Sequence, residues 1–315
     1  MDNKNTNILT KTYSRVTLTL LCCFLWGSAF PCIKMGYDWL GIKTVGEQIL
    51  FAGYRFFLAG IITFCLACIF EKKIIKLKRA NIIHILEFGL LNTTLQYVCF
   101  YIGLNYVSGT KGSILNAANV FVSIILAHFF FDEEKITWLK SIGCLIGFAG
   151  VIIINLGDFG GNFSFMGEGM VILSTIIYGT CSVLVKFLVK QESPMTITAY
   201  QLSFGGAVLI VIGFANGGHV MEYDFKSLLL LLYLAILSSV AFSIWTALLN
   251  KNEAGKVTVF GFSIPIFGSL LSSLLLGEKV ITLKNFIAFI CVCAGIIIIN
   301  LPKSRHKKIK SFEEG

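Results

Sequence analysis

Ten side chains in this sequence carry polar, charged or aromatic chemistry inside or beside long apolar blocks. Arg55 sits within one such block. Asn92, Gln96 and Tyr97 follow in another at i, i+4 and i+5, and Asn116 and Asn119 stand three apart in a third. Trp26, Tyr178 and Trp245 add aromatic rings with a polar handle. Lys34 closes the stretch "WGSAFPCIK" (Trp26 to Lys34). Amide, guanidinium and indole groups bind through directed hydrogen bonds and stacking, so their chemistry is recognition of a polar solute. They equally serve as glue between helices. For Arg55 the two readings are a substrate or gating contact, and a clamp on neighbouring carbonyls or on an acid such as Glu47. For the aromatic rings they are cavity walls, and ordinary packing or interfacial anchoring.

The residues do not form a catalytic or metal-binding constellation. Four histidines lie scattered at 84, 128, 219 and 306. The "CLAC" stretch (Cys65 to Cys68) has no second Cys or His pair to complete a zinc site, and the ten cysteines imply no disulfide framework. His84 and Glu87, one turn apart, read either as a proton relay or as a solvated pair at the membrane interface. No phosphate-binding GxxxxGK[ST] loop is present. The sequence therefore argues against an enzyme and implies no cofactor.

The elements that position these groups follow from composition. Of 315 residues 56% are hydrophobic and 14% charged, against about 25% charged in soluble domains. The apolar residues fall in blocks of the length that crosses a bilayer. Backbone groups in lipid must pair internally, so the blocks read as helices. They lack the alternation of a membrane barrel. The expected fold is an all-α integral membrane protein with ten transmembrane helices near 16–35, 47–70, 82–105, 110–131, 136–155, 167–188, 195–214, 226–249, 256–276 and 282–301. The polar start and the absence of a small-residue cleavage site imply that the first block is retained as a spanning helix.

The net charge of +9 reflects topology rather than a nucleic-acid surface. With the N-terminus inside, 19 Lys and Arg fall on the cytoplasmic side and 6 outside. By the positive-inside rule both tails, 1–15 and 302–315, are expected in the cytoplasm. The basic run Lys303 to Lys310 reads as an anchor at anionic lipid heads.

The chain also repeats itself. "WGSAFPCIK" is echoed by "YGTCSVLVK" (Tyr178 to Lys186), 152 positions on. "AGYRFFLAG" from Ala52 parallels "TAYQLSFGG" from Thr198, 146 apart. "EKIT" from Glu134 parallels "EKVI" from Glu278, 144 apart, and "AGVIIIN" from Ala149 parallels "AGIIIIN" from Ala294, 145 apart. Collinear pairs at nearly constant offset predict two five-helix repeats, 16–155 and 167–301. Five is odd, so the second repeat enters the membrane inverted, a design that lets two halves exchange inward-open and outward-open shapes around a midplane site. At the same offset Phe121 stands where the second half has Pro265, which predicts a proline kink in one half only. Gly143 and Gly147 permit a close helix contact, within the chain or between copies. Lys186 agrees with the positive-inside bias and needs no special role. Lys34 runs against it and is expected either to attract an anionic or zwitterionic substrate at the outer mouth or to snorkel to the headgroups.

These motifs in this order ("WGSAF", "RFFLAG", "FDEEKIT" and "SIPIFGSLLSSLLLGEKV") resemble the EamA-type transporters of the drug/metabolite transporter superfamily, over residues 16 to 301. The resemblance implies a ten-helix carrier with a central cavity lined by both halves, moving amino acids, drugs or other metabolites, often outward. The first helix has no acid, unlike the small multidrug exporters, whose glutamate there couples protons to cationic drugs. The expected function is a secondary transporter in a bacterial cytoplasmic membrane, working by alternating access and exporting small polar or amphipathic metabolites. Its partners are a small-molecule substrate and the lipid bilayer, with no nucleic acid. Proton or ion coupling and a homodimer are compatible with the sequence. The competing classes are a membrane-embedded enzyme and a membrane scaffold or receptor without transport.

Overall fold

A computed structural model describes residues 9–107, 112, 115–154, 163–276 and 283–301. Lys4, Lys111, the Glu278 motif and the basic run Lys303 to Lys310 lie outside the described residues. The chain is all-helical, with no strand among the described residues. In chain order the helices are α1 (Thr12–Leu40), α2 (Val45–Glu71), α3 (Ile82–Gly89), α4 (Gln96–Leu104), α5 (Asn119–Phe130), α6 (Trp138–Ile154), α7 (Met170–Leu188), α8 (Pro194–Ala215), α9 (Phe225–Lys251), α10 (Ala254–Thr258), α11 (Ile264–Leu276) and α12 (Leu283–Asn300). Seven helical stretches among the described residues are long and apolar enough to cross a membrane. Shorter apolar helices cover Leu115–Phe130, Trp138–Ile153 and Phe286–Asn300.

Helix starts follow local chemistry. Thr44 Oγ1 accepts from the Glu47 N–H at 3.3 Å while Glu47 Oε2 accepts from the Thr44 N–H at 2.9 Å, a reciprocal cap for α2. Ser193 caps α8 with Pro194 in its first turn, and Asp224 caps α9 by accepting from the Ser227 N–H at 2.8 Å.

Two seams hold the bundle. Along α2 and α8, a Cβ added at Gly53 would stand 2.7 Å from Ile210 N, one at Gly60 2.3 Å from Ser203 N, and one at Gly206 2.3 Å from Phe57 N. The numbers rise on one helix as they fall on the other, so the pair is antiparallel. Only glycine lets two backbones come this close. The second seam joins α6 to α12, where a Cβ at Gly295 would meet Gly147 N at 2.7 Å and one at Gly143 would meet Gly295 O at 2.9 Å. The small-residue spacing at Gly143 and Gly147 thus serves a contact within the chain. Around these seams α1 packs on α9 and α11, and α7 packs on α4 and α5.

Three stretches depart from uniform helix. Between α3 and α4 the chain widens into a π-helix, Leu90–Leu95. Here Thr94 donates to the Gly205 carbonyl at 3.0 Å and Asn92 donates to Gln201 Oε1 at 3.0 Å, both on α8. Between α10 and α11 the turn tightens to a 3₁₀-helix, Val259–Ser263, just before Pro265. Proline has no N–H to continue the α ladder. The sequence expectation was a proline kink in one half only. In the stretch without proline, Leu115–Phe130 forms one apolar helical run with a turn at Ala118, whose backbone stays in the α region, and Asn119 Nδ2 donates to the Asn116 carbonyl at 2.6 Å beside it. Phe121 on this run packs against Phe262 of the 3₁₀ segment, ring centroids 6.1 Å apart.

Candidate functional site

A cavity of about 240 Å³ lies among α1, α2, α4, α5, α7, α9 and α11. The sequence candidates Trp26, Lys34, Arg55, Gln96 and Tyr97 line it, and so do Asn116, Asn119 and Tyr178. Two candidates do not. Asn92 spends its amide on Gln201 across the α8 contact, so it serves as interhelical glue. Trp245 packs edge-to-face on Trp26, with ring centroids 4.9 Å apart, behind the cavity wall. His84 and Glu87 form an exposed pair at 3.6 Å, away from the cavity.

Arg55 lies about ten residues into α2, roughly 15 Å along the helix. It is 3% exposed. Its Nε donates to Ser238 Oγ on α9 at 2.8 Å, and the guanidinium carbon stands 4.9 Å from the Phe56 ring centre. The clamp on Glu47 weighed from sequence does not form. Glu47 instead caps its own helix and pairs with His219 at 3.2 Å. Gln96 donates through Nε2 to Ser174 Oγ at 3.1 Å, leaving its Oε1 buried without a partner. Asn116 Oδ1 and Trp26 Nε1 are likewise buried and unpaired. Such groups are rare and costly unless something completes them. The cavity is therefore lined by two cations, Arg55 and Lys34, and by side chains that carry unpaired polar atoms, Trp26, Gln96 and Asn116 among them, between aromatic walls.

Sequence reasoning missed part of the wall, notably Tyr37, Tyr101, Phe100 and Phe242. Tyr37 and Tyr101 were findable as polar rings in apolar blocks. The Phe residues were not, because they are 2 of 28 phenylalanines spread along the chain.

A second, polar pocket of about 650 Å³ lies where Arg15 of α1 meets the loops after α5 and α9. An ion-pair lattice fills this end. Glu134 Oε1 pairs with Lys186 Nζ, and Glu134 Oε2 accepts from the Ala254 N–H at 2.6 Å. Lys186 also donates to the Asn252 carbonyl at 2.7 Å. Glu253 pairs with Lys140 at 3.0 Å and with Lys256 at 2.8 Å. Burial pushes the Glu253 carboxyl up, but the two ammonium groups outweigh it and hold its pKa down at about 2. Arg15 reaches Asn252 at 3.4 Å and Asn300 at 3.2 Å. Lys186, assigned no role from charge bias, is thus the centre of a contact joining α1, α6, α7, α10 and α12. The repeated "EKIT" and "YGTCSVLVK" phrases were the signal for it. Burial of a charged pair is tolerated when hydrogen bonds complete both partners.

A multi-helix membrane bundle with a polar-lined internal cavity and ion pairs at one end is an architecture suited to moving a solute across a membrane. Its sequence says which kind. The model of the EamA-like transporter family matches residues 14–156 and again 165–301, and the chain belongs to that family. It is 26% identical over 304 residues to the uncharacterized transporter YvbV of Bacillus subtilis (strain 168), covering 95% of each chain. It is 23% identical over 294 residues to a probable amino-acid metabolite efflux pump of Salmonella typhimurium, covering 89% of this chain and 93% of the pump. A crystal structure with 13% sequence identity superposes at a TM-score of 0.77 over 92% of this chain and 98% of its own, which shows a shared fold.

Proposed function

We propose that the chain is a secondary carrier that exports small polar or amphipathic metabolites, amino acids or drug-like compounds, across a bacterial cytoplasmic membrane by alternating access. The observation that carries this reading is the internal cavity with unpaired polar groups, latched at one end. In this reading all ten helical segments cross the bilayer as two inverted repeats, 16–155 and 167–301. The contact pattern supports it. Under the sequence offset α1 corresponds to α7, α3 and α4 together to α9, and α5 to α11. The packing of α1 on α9 and α11 then mirrors that of α7 on α4 and α5. The self-paired seams α2–α8 and α6–α12 lie where a pseudo-two-fold axis would place them. The printed name of the Salmonella relative supports amino-acid metabolites as substrates.

The charge bias puts both termini and the Lys186 lattice in the cytoplasm, and Lys34 toward the outside. The described state is then closed inward. Substrate moves when the lattice parts and the Lys34 end closes, with the 3₁₀ segment Val259–Ser263 giving α11 freedom to bend against fixed seams. Flux into proteoliposomes tests this. Saturable movement of individual solutes from a broad panel, identified by comparing the medium of overexpressing and deletion cells by mass spectrometry, is expected. No saturable flux for any panel member refutes it.

A further inference from the structure

Resting on the transport reading, we infer that Arg55 is the specificity-determining residue of the cavity and that it selects substrates bearing a carboxylate. The charge is nearly fully buried, lies about midway along its helix, and lines the cavity. Only its Nε makes a hydrogen bond, to Ser238, and the Phe56 ring covers part of the group. The two terminal nitrogens carry four N–H donors, and no described side chain meets them with a hydrogen bond or an ion pair. A buried guanidinium inside a membrane bundle, in a cavity whose other charged residue is the exposed Lys34, is strongly disfavoured unless a counter-charge arrives. None of the described cavity-lining residues is an acid, so none of them supplies one. The substrate does.

The planar guanidinium matches a carboxylate through two parallel hydrogen bonds. Gln96 and Asn116 line the same cavity, and rotation of either amide offers its unpaired oxygen to an ammonium or amide N–H on the same molecule. The aromatic walls of Trp26, Tyr97 and Phe242 take its apolar part. The preferred ligand is therefore an amphipathic acid or zwitterion. A cation without a carboxylate meets Arg55 as a like charge and is rejected.

The test is a binding measurement on the purified, full-length protein, so its outcome is separate from that of flux. Quenching of tryptophan fluorescence, with Trp26 in the wall as reporter, is titrated with four probes of one size: 3-phenylpropionate, L-phenylalanine, L-phenylalaninamide and phenethylamine. The two carboxylates are expected to bind at least tenfold more tightly than the two probes without one. Arg55→Gln should remove that preference, and Arg55→Lys should restore part of it. The wild-type series decides alone if Arg55→Gln does not fold. Equal or tighter binding of the amines, or no saturable binding of either carboxylate, overturns the assignment. Carboxylate-selective binding lost in Arg55→Gln, together with absent flux, leaves this assignment standing and removes the transport reading.

Discussion

Replacing Lys186 by glutamine tests whether the lattice at the α1 N-terminal end is a gate. The Lys186 side chain is 13% exposed and that of Glu134 5%, so the pair is largely shielded from water. At about 4 Å and an effective dielectric near 20, two unit charges attract by about 4 kcal/mol. Removing one partner of a buried pair typically costs 3–5 kcal/mol. Here the adjoining polar pocket of about 650 Å³ admits water and softens the loss. The Ala254 N–H still satisfies Glu134 Oε2. A net cost of about 2–3 kcal/mol remains, and since about 1.4 kcal/mol is tenfold, the closed-to-open ratio falls roughly 30- to 150-fold. Ala29 lines the cavity, so a cysteine placed there in a background without native cysteines reports access. An impermeant maleimide applied from the cytoplasmic face should label Ala29→Cys roughly 30- to 150-fold faster in Lys186→Gln. Lys186→Arg, which keeps both the charge and a donor for the Asn252 carbonyl, should leave the rate near the starting value. A change below about threefold in a variant that elutes and melts as a folded protein refutes the gate.

Two further outcomes follow from the geometry. The Glu253 carboxyl, held at about 2 against an ordinary 4.5, stabilises the fold above the unfolded value and loses that effect as pH falls toward the folded value. The thermal stability of wild type over Glu253→Gln in detergent should therefore be constant above about pH 5.5, shrink below about pH 4.5 and vanish near pH 2. Asn92 and Asn116 should separate cleanly. Asn92→Ala breaks the bond to Gln201 and should cost about 1–2 kcal/mol of stability with KM within about twofold. Asn116→Ala removes a cavity-lining amide whose oxygen has no partner and should raise the KM for flux several-fold with little change in Tm.

The membrane fold and the helix positions were legible in the sequence because lipid imposes one rule on every segment: apolar side chains outside and hydrogen bonds kept within the helix. Block lengths alone placed the stretch 47–70 within two residues of α2 and 195–214 within one residue of α8 at either end. Expected polar positions were legible for the same reason, since Arg55, Gln96 and Asn116 stand out against apolar neighbours. What those polar groups do was not. Asn92 and Gln96 lie one turn apart on one helical run, yet Asn92 meets Gln201 of α8 while Gln96 lines the cavity. The π-turn at Leu90–Leu95 rotates one against the other, and no local pattern announced it. Sequence likewise supplied Lys186 and the "EKIT" acid as separate echoes. Only the folded bundle brought two residues 52 positions apart into one buried pair, because the partner of a charge is chosen by packing distance, which the order of residues along the chain does not encode.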